Sequence, residues 1–262
     1  MAKRTSTTTE KDDELISLDY AIKYLLRNKS DYAILEGFIS TILKAIGYKP
    51  IKIDHILDPE TDKEKKEEKR YITDLLVKDE EGRSYLIEID KCLHPYLIEK
   101  SLLSTEKEII RKIKAGNRAL DAIKVFHISL LYFKISQNAL EGPIYHGKVF
   151  VKNFLSKQQE ASSYHQITDE RHILHELDEL HPEYIYVSID QFDNETHGEE
   201  LNEWLYLLKN SAIKKDFKSK SVLQASHRLN RLKMSEEALN AYDKHKYEEL
   251  KRIGSIAVRS CL

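Results

Sequence analysis

Residues 70–91 read RYITDLLVKDEEGRSYLIEIDK. Two runs of apolar residues flank the short segment DEEGR, in which Gly82 can take the positive-φ position that a tight turn needs. The spacing predicts antiparallel strands over 71–78 and 84–90. Side chains alternate along a strand, so Ile72, Asp74 and Leu76 share one face, as do Leu86, Glu88 and Asp90. The turn sets Asp74 opposite Glu88, at a cross-strand Cβ separation of about 5 Å. Ionised groups are costly to bury without a partner. Three carboxylates on one face of a hairpin therefore need a counter-charge.

Clustered carboxylates raise one another's pKa unless a cation is present. Oxygen ligands on a rigid sheet suit Mg²⁺ or Mn²⁺. Asp74, Glu88 and Asp90 are accordingly the candidate metal ligands, and an ion held there can activate water and stabilise charge on a phosphate. The pattern has a plainer reading. Asp74 caps a local backbone group, while Asp90 and Lys91 lie at a solvated strand end.

The rest of the chain frames the hairpin. Leu15, Leu18, Ile22, Leu25 and Leu26 fall on one helical face from Glu14. A second helix is predicted from Asp31, an N-cap, to Gly47. Residues 51–57 alternate like a strand, and 58–70 form a charged loop. Residues 95–115 read as a helix between Pro95 and Gly116. Residues 122–133 are rich in β-branched and aromatic residues and read as a buried strand. Shorter strands are predicted at 143–151 and 183–190, with a short helix at 170–180 between them. Residues 198–210 and 221–253 are helical. The expected class is α/β, a mixed sheet flanked by helices with a helical C-terminal appendage. The expected divisions are a disordered tail over 1–13, a core over 14–196 and a helical region over 197–262.

Composition narrows the functions. With 262 residues, 41% of them hydrophobic, the chain can bury a sizeable core. The net charge is −2, so a nucleic-acid surface must come from local basic patches. Candidate patches are 111–118, 209–221 and 227–233. Cys92 and Cys261 form no disulfide framework or zinc set, which suits a reducing cytoplasm. The N-terminus lacks the apolar region of a secretory signal, and no run approaches a membrane span. No phosphate-binding glycine motif or nucleophile-elbow motif is present, which removes nucleotide hydrolysis and triad chemistry. His172 and His175 lack the HExxH pattern; His181 follows them, and His94 is the histidine nearest the hairpin.

DLLVKDEEGRSYLIEIDK resembles the core of the PD-(D/E)XK nuclease family transposases, the group that includes the recombination-promoting nucleases. LDYAIKYLLRNKSDYAILEGFISTILKAI resembles that family's opening helices, IKIDHILDPE its next strand, and IRKIKAGNRALDAIKVFHISLLYF its helix and central strand. EYIYVSIDQF and LNEWLYLLKN resemble its late strand and Trp-containing helix, so the likeness runs over about residues 15–250. It implies a restriction-endonuclease-like fold and Mg²⁺- or Mn²⁺-dependent cleavage of DNA, tied to recombination or mobile elements. Asp74 matches the family's first metal-binding acid and Glu88 the second. Two residues after the Glu, the family has Gln or Lys where this chain has Asp90. A Lys there orients water or stabilises the charged transition state. Lys91, adjacent in sequence, and Lys100, on the next helix where the family often has Arg, are the candidate replacements. Glu36 is a candidate extra helix acid. The rival readings are a degenerate DNA-binding protein that does not cut, and a helical interaction module that assembles through 221–253, with homo-oligomers as one form.

Overall fold

The computed structural model describes residues 15–17, 20–21, 32–57, 75–93, 95–116, 124–137, 141–149, 181–195, 199–230 and 234–259. Within them the predicted hairpin is present. Strands β2 (Leu75–Asp79) and β3 (Ser84–Asp90) pair antiparallel, with Leu75 opposite Ile87 and Lys78 opposite Ser84. Gly82 turns the chain at φ 84°. Asp79 fastens the turn. Its Oδ1 accepts from the backbone N–H groups of Glu81 (3.0 Å) and Arg83 (2.9 Å), and its Oδ2 accepts from Arg83 Nε (2.7 Å) and Tyr85 OH (2.9 Å).

The hairpin is part of a six-stranded mixed sheet. β1 (Ile53–Leu57) flanks β2; β4 (Val125–Leu131) lies parallel to β3; β6 (Glu183–Ser188) lies parallel to β4; and β5 (Ile144–Gly147) closes the far edge. Every residue of β4 is buried, as expected for an apolar strand with a neighbour on each side and a covered sheet. The β3–β4 crossover contains helix α2 (Leu97–Lys114), which ends before Gly116 at φ 82°.

The two faces of the sheet are chemically different. One presents Val77, Tyr85, Ile87, Ile128, Leu130, Ile185 and Val187 to the main hydrophobic core. That core is completed by α1 (Tyr32–Ala45), α3 (Glu200–Asn210) and α4 (Lys220–Leu229), with Trp204 fully buried among them. The other face presents Glu88, Asp90, His127, Ser129, Tyr184 and Tyr186, and α2 covers it.

The region expected to be helical over 221–253 falls into α4 and α5 (Glu236–Arg259). These helices share the core with the N-terminal part of the chain. Leu15 bridges Asn230, Ile16 N donates to Leu229 O (2.9 Å), and Ser17 N donates to Tyr242 OH (3.1 Å). The expected helix from Glu14 lies largely outside the described residues, as do the charged loop at 58–70 and the expected helix at 170–180.

Candidate active site

Helix α2 turns a polar stripe toward the sheet: Ser101, Ser104, Thr105, Glu108 and Lys112 are all buried. Sequence spacing puts Lys100 and Ser104 one turn apart on the same side. Both reach Glu88 of β3. Ser104 Oγ donates to Glu88 Oε1 at 2.9 Å, and Lys100 Nζ stands 2.9 Å from Oε2. Lys100 Nζ also donates to Asp90 Oδ1 at 3.3 Å. From β4, His127 Nε2 lies 3.6 Å from Glu88 Oε1, and its Nδ1 lies 3.2 Å from Ser129 Oγ. Glu88 and His127 are wholly buried, whereas the Lys100 side chain is 26% exposed. The site thus sits at the mouth of the sheet's polar face, with Lys100 on its solvent side.

Burial alone would raise the Glu88 pKa. His127 and the Lys100 ammonium outweigh it and bring the carboxyl down to about 2. The expectation that repulsion raises the value of Asp74 or Glu88 is not met at Glu88, and Asp74 lies outside the described residues. Lys100, His127 and Ser104 supply the counter-charge and hydrogen bonds that this buried carboxylate needs. Glu88 is therefore ionised at neutral pH and fixed in orientation.

Of the other residues predicted from sequence, Asp74 and His94 lie outside the described residues. Asp90 is brought to Glu88 through their shared contact with Lys100. Lys91 Nζ is engaged 4.5 Å over the ring of Tyr132. Glu36 serves the sheet edge: its carboxylate accepts from Ile53 N (2.9 Å) and Lys52 Nζ (3.0 Å). The basic segment at 111–118 is partly structural. Arg111 pairs with buried Glu108 at 2.7 Å, and Lys112 donates to the carbonyls of Gly82 and Lys124. Lys209 and Lys214, in the second basic segment, also donate to backbone carbonyls. His181 offers its carbonyl to Lys124 Nζ, and His172 and His175 lie outside the described residues. Sequence reasoning missed Ser104 and His127. The signal for both was weak, because a serine on a helix and a histidine in an apolar strand are each read as packing.

The donor set fits a divalent cation in part. Glu88 Oε2 accepts no hydrogen bond of good geometry and faces only the ammonium among the described residues, and Asp90 adds a second carboxylate two residues on. Among the described residues no three His, Cys, Asp or Glu side chains are grouped as a metal site.

A family model, that of the PD-(D/E)XK nuclease family transposases, matches residues 16–253. The chain belongs to that family. The mixed sheet flanked by helices agrees with the restriction-endonuclease-like fold its membership requires. PD-(D/E)XK nucleases generally use divalent metals, and their family associates this nuclease chain with mobile elements and with DNA as substrate. No curated protein and no solved structure matches it. Among the described residues, no helix is long and apolar enough to cross a membrane.

Proposed function

We propose that this chain is a divalent-metal-dependent DNA endonuclease that hydrolyses phosphodiester bonds, with Asp74 and Glu88 as its metal ligands. One observation carries the reading: a wholly buried, ionised glutamate is clamped on the polar face of the sheet beside a lysine that reaches solvent. Burying a charge is costly unless it is paired, and such arrangements concentrate at functional sites. Asp74 enters the proposal from the sequence alone, in which the alternation of the hairpin sets it opposite Glu88. Bound Mg²⁺ or Mn²⁺ would supply an activated water and stabilise charge on the phosphate. The chain's own residues do the rest. Ser104 fixes one Glu88 oxygen, leaving the other to face the site. Lys100 is placed to meet the negative charge that develops on the scissile phosphate. Lys91, held on Tyr132, has no assigned step.

Plasmid nicking in Mg²⁺, in Mn²⁺ and with EDTA tests the proposal. The parent protein should nick in either metal and stop with EDTA, and Glu88→Gln should lose on the order of a hundredfold in rate. Metal-independent nicking, or equal rates for parent and Glu88→Gln, would refute it. DNA binding with no cleavage in any metal would favour the degenerate reading instead.

A further inference from the structure

Asp90 stands two residues after Glu88 on β3, and the structure gives it a partner. Lys100 Nζ lies 3.3 Å from Asp90 Oδ1 and 2.9 Å from Glu88 Oε2, so a single ammonium bridges the two carboxylates. The other Glu88 oxygen is already taken by Ser104, one turn further along the same helix. Oε2 is therefore the oxygen through which Glu88 can ligate an ion, and it is the oxygen that Lys100 faces.

We propose that Lys100 is the resident counter-ion of Glu88, held in place by Asp90, and that a divalent cation enters the site in exchange for this ammonium. This rests on the metal-dependent reading above and adds to it. A metal ion about 2.1 Å from Oε2 and an ammonium in hydrogen-bond range of the same atom repel at close quarters. One must withdraw. Lys100 is the mobile party, since its long side chain is partly exposed and has solvent to retreat into, whereas Glu88 is enclosed. Asp90 lies beside the exit, 16% exposed, and gives the withdrawn ammonium a place to stay. On this account Asp90 is a positioning residue for Lys100 and not a metal ligand. Asp90 thereby keeps a helix-borne lysine at the site.

The test is the dissociation constant of Mn²⁺, read from the free-ion EPR signal, for folded parent, Lys100→Met, Lys100→Gln and Lys100→Met/Asp90→Asn proteins. Removing the competing ammonium should tighten Mn²⁺ about tenfold or more in both single variants. Adding Asp90→Asn to Lys100→Met should then change the affinity by less than about fivefold. Thermal unfolding supplies a second readout. Glu88 without Lys100 is a buried charge awaiting a cation, so Mn²⁺ should raise the Tm of Lys100→Met more than that of the parent. Unchanged or weaker binding in both Lys100 variants would overturn the exchange while leaving the metal site itself standing. A tenfold or greater loss on adding Asp90→Asn would make Asp90 a ligand and overturn its positioning role. Absence of Mn²⁺ binding by every protein, parent included, would overturn both this inference and the metal-dependent reading.

Discussion

Lys112 lies wholly inside the layer between α2 and the sheet, donating to Gly82 O at 2.8 Å and Lys124 O at 3.1 Å. Burial lowers its pKa from 10.5 to about 8, with nearby Glu108 acting in the opposite direction. The amine keeps its hydrogen bonds when neutral, because it still has N–H donors. Between these two pKa values the unfolded chain holds more protons than the folded one, so folding becomes more favourable as pH rises. Stability should therefore climb from pH 8 toward pH 10, and the Lys112→Met protein should lack that part of the slope. Urea unfolding of both proteins at pH 8, 9 and 10 measures it; parallel slopes would mean that Lys112 keeps an ordinary pKa when folded. A second buried acid, Glu183, is neutralised differently. Lys124 Nζ stands 2.8 Å from it and His146 Nε2 2.7 Å, and Tyr48 donates a hydrogen bond. Burial opposes ionisation of Glu183, yet these partners lower its pKa. It ties β5, β6 and β4 together at the end of the sheet away from Glu88.

Helix α4 crosses α1 at Gly37, where the helices come too close for a side chain. A Cβ at Gly37 would stand 2.5 Å from Ser221 Cβ. Ser221 is itself fixed, since its Oγ accepts from Trp204 Nε1 and donates to Glu200. Gly37→Ala should gain about 1 kcal/mol of helix propensity but lose more by forcing the helices apart, an overpacking cost of roughly 1–3 kcal/mol. The expected result is a lower Tm that Ser221→Gly partly restores in the double variant. A Gly37→Ala protein as stable as the parent would show that the crossing yields without cost. The elements themselves were largely legible, because the hairpin, β4 and α1 follow simple periodicities. Helix α2 shows where periodicity fails. Its Ile98, Ile110 and Ile113 are exposed, while Ser104, Thr105, Glu108 and Lys112 face the sheet. The helix itself was expected over 95–115, but an apolar pattern cannot reveal that its inward side is polar. The partnership of Ser104 with Glu88 was hidden for this reason, whereas Lys100 was singled out through the family resemblance and Glu88 by its place in an apolar strand. That one described helix ends at Leu229 and the next begins at Glu236 was also invisible, since no Gly or Pro interrupts 221–253.

Across the whole molecule the sheet separates stability from chemistry. Its apolar face joins α1, α3 and α4 in one core that also receives Leu15 and Ile16 from near the start of the chain and Tyr242 from near its end. Its other face buries charge beneath α2, where an apolar layer would have been less costly to form. The proposed function takes these ionised groups, with a lysine between them and solvent, as the seat of a divalent cation. Crystals grown with Mn²⁺ test that claim most directly, through the anomalous difference density at the manganese edge. The account predicts a peak bonded to Glu88 Oε2 and an Asp74 carboxylate oxygen at roughly 2.1–2.2 Å, with the Lys100 ammonium moved off Glu88. Full Mn²⁺ occupancy elsewhere, or no peak while Lys100 still contacts Glu88 at saturating metal, would contradict it.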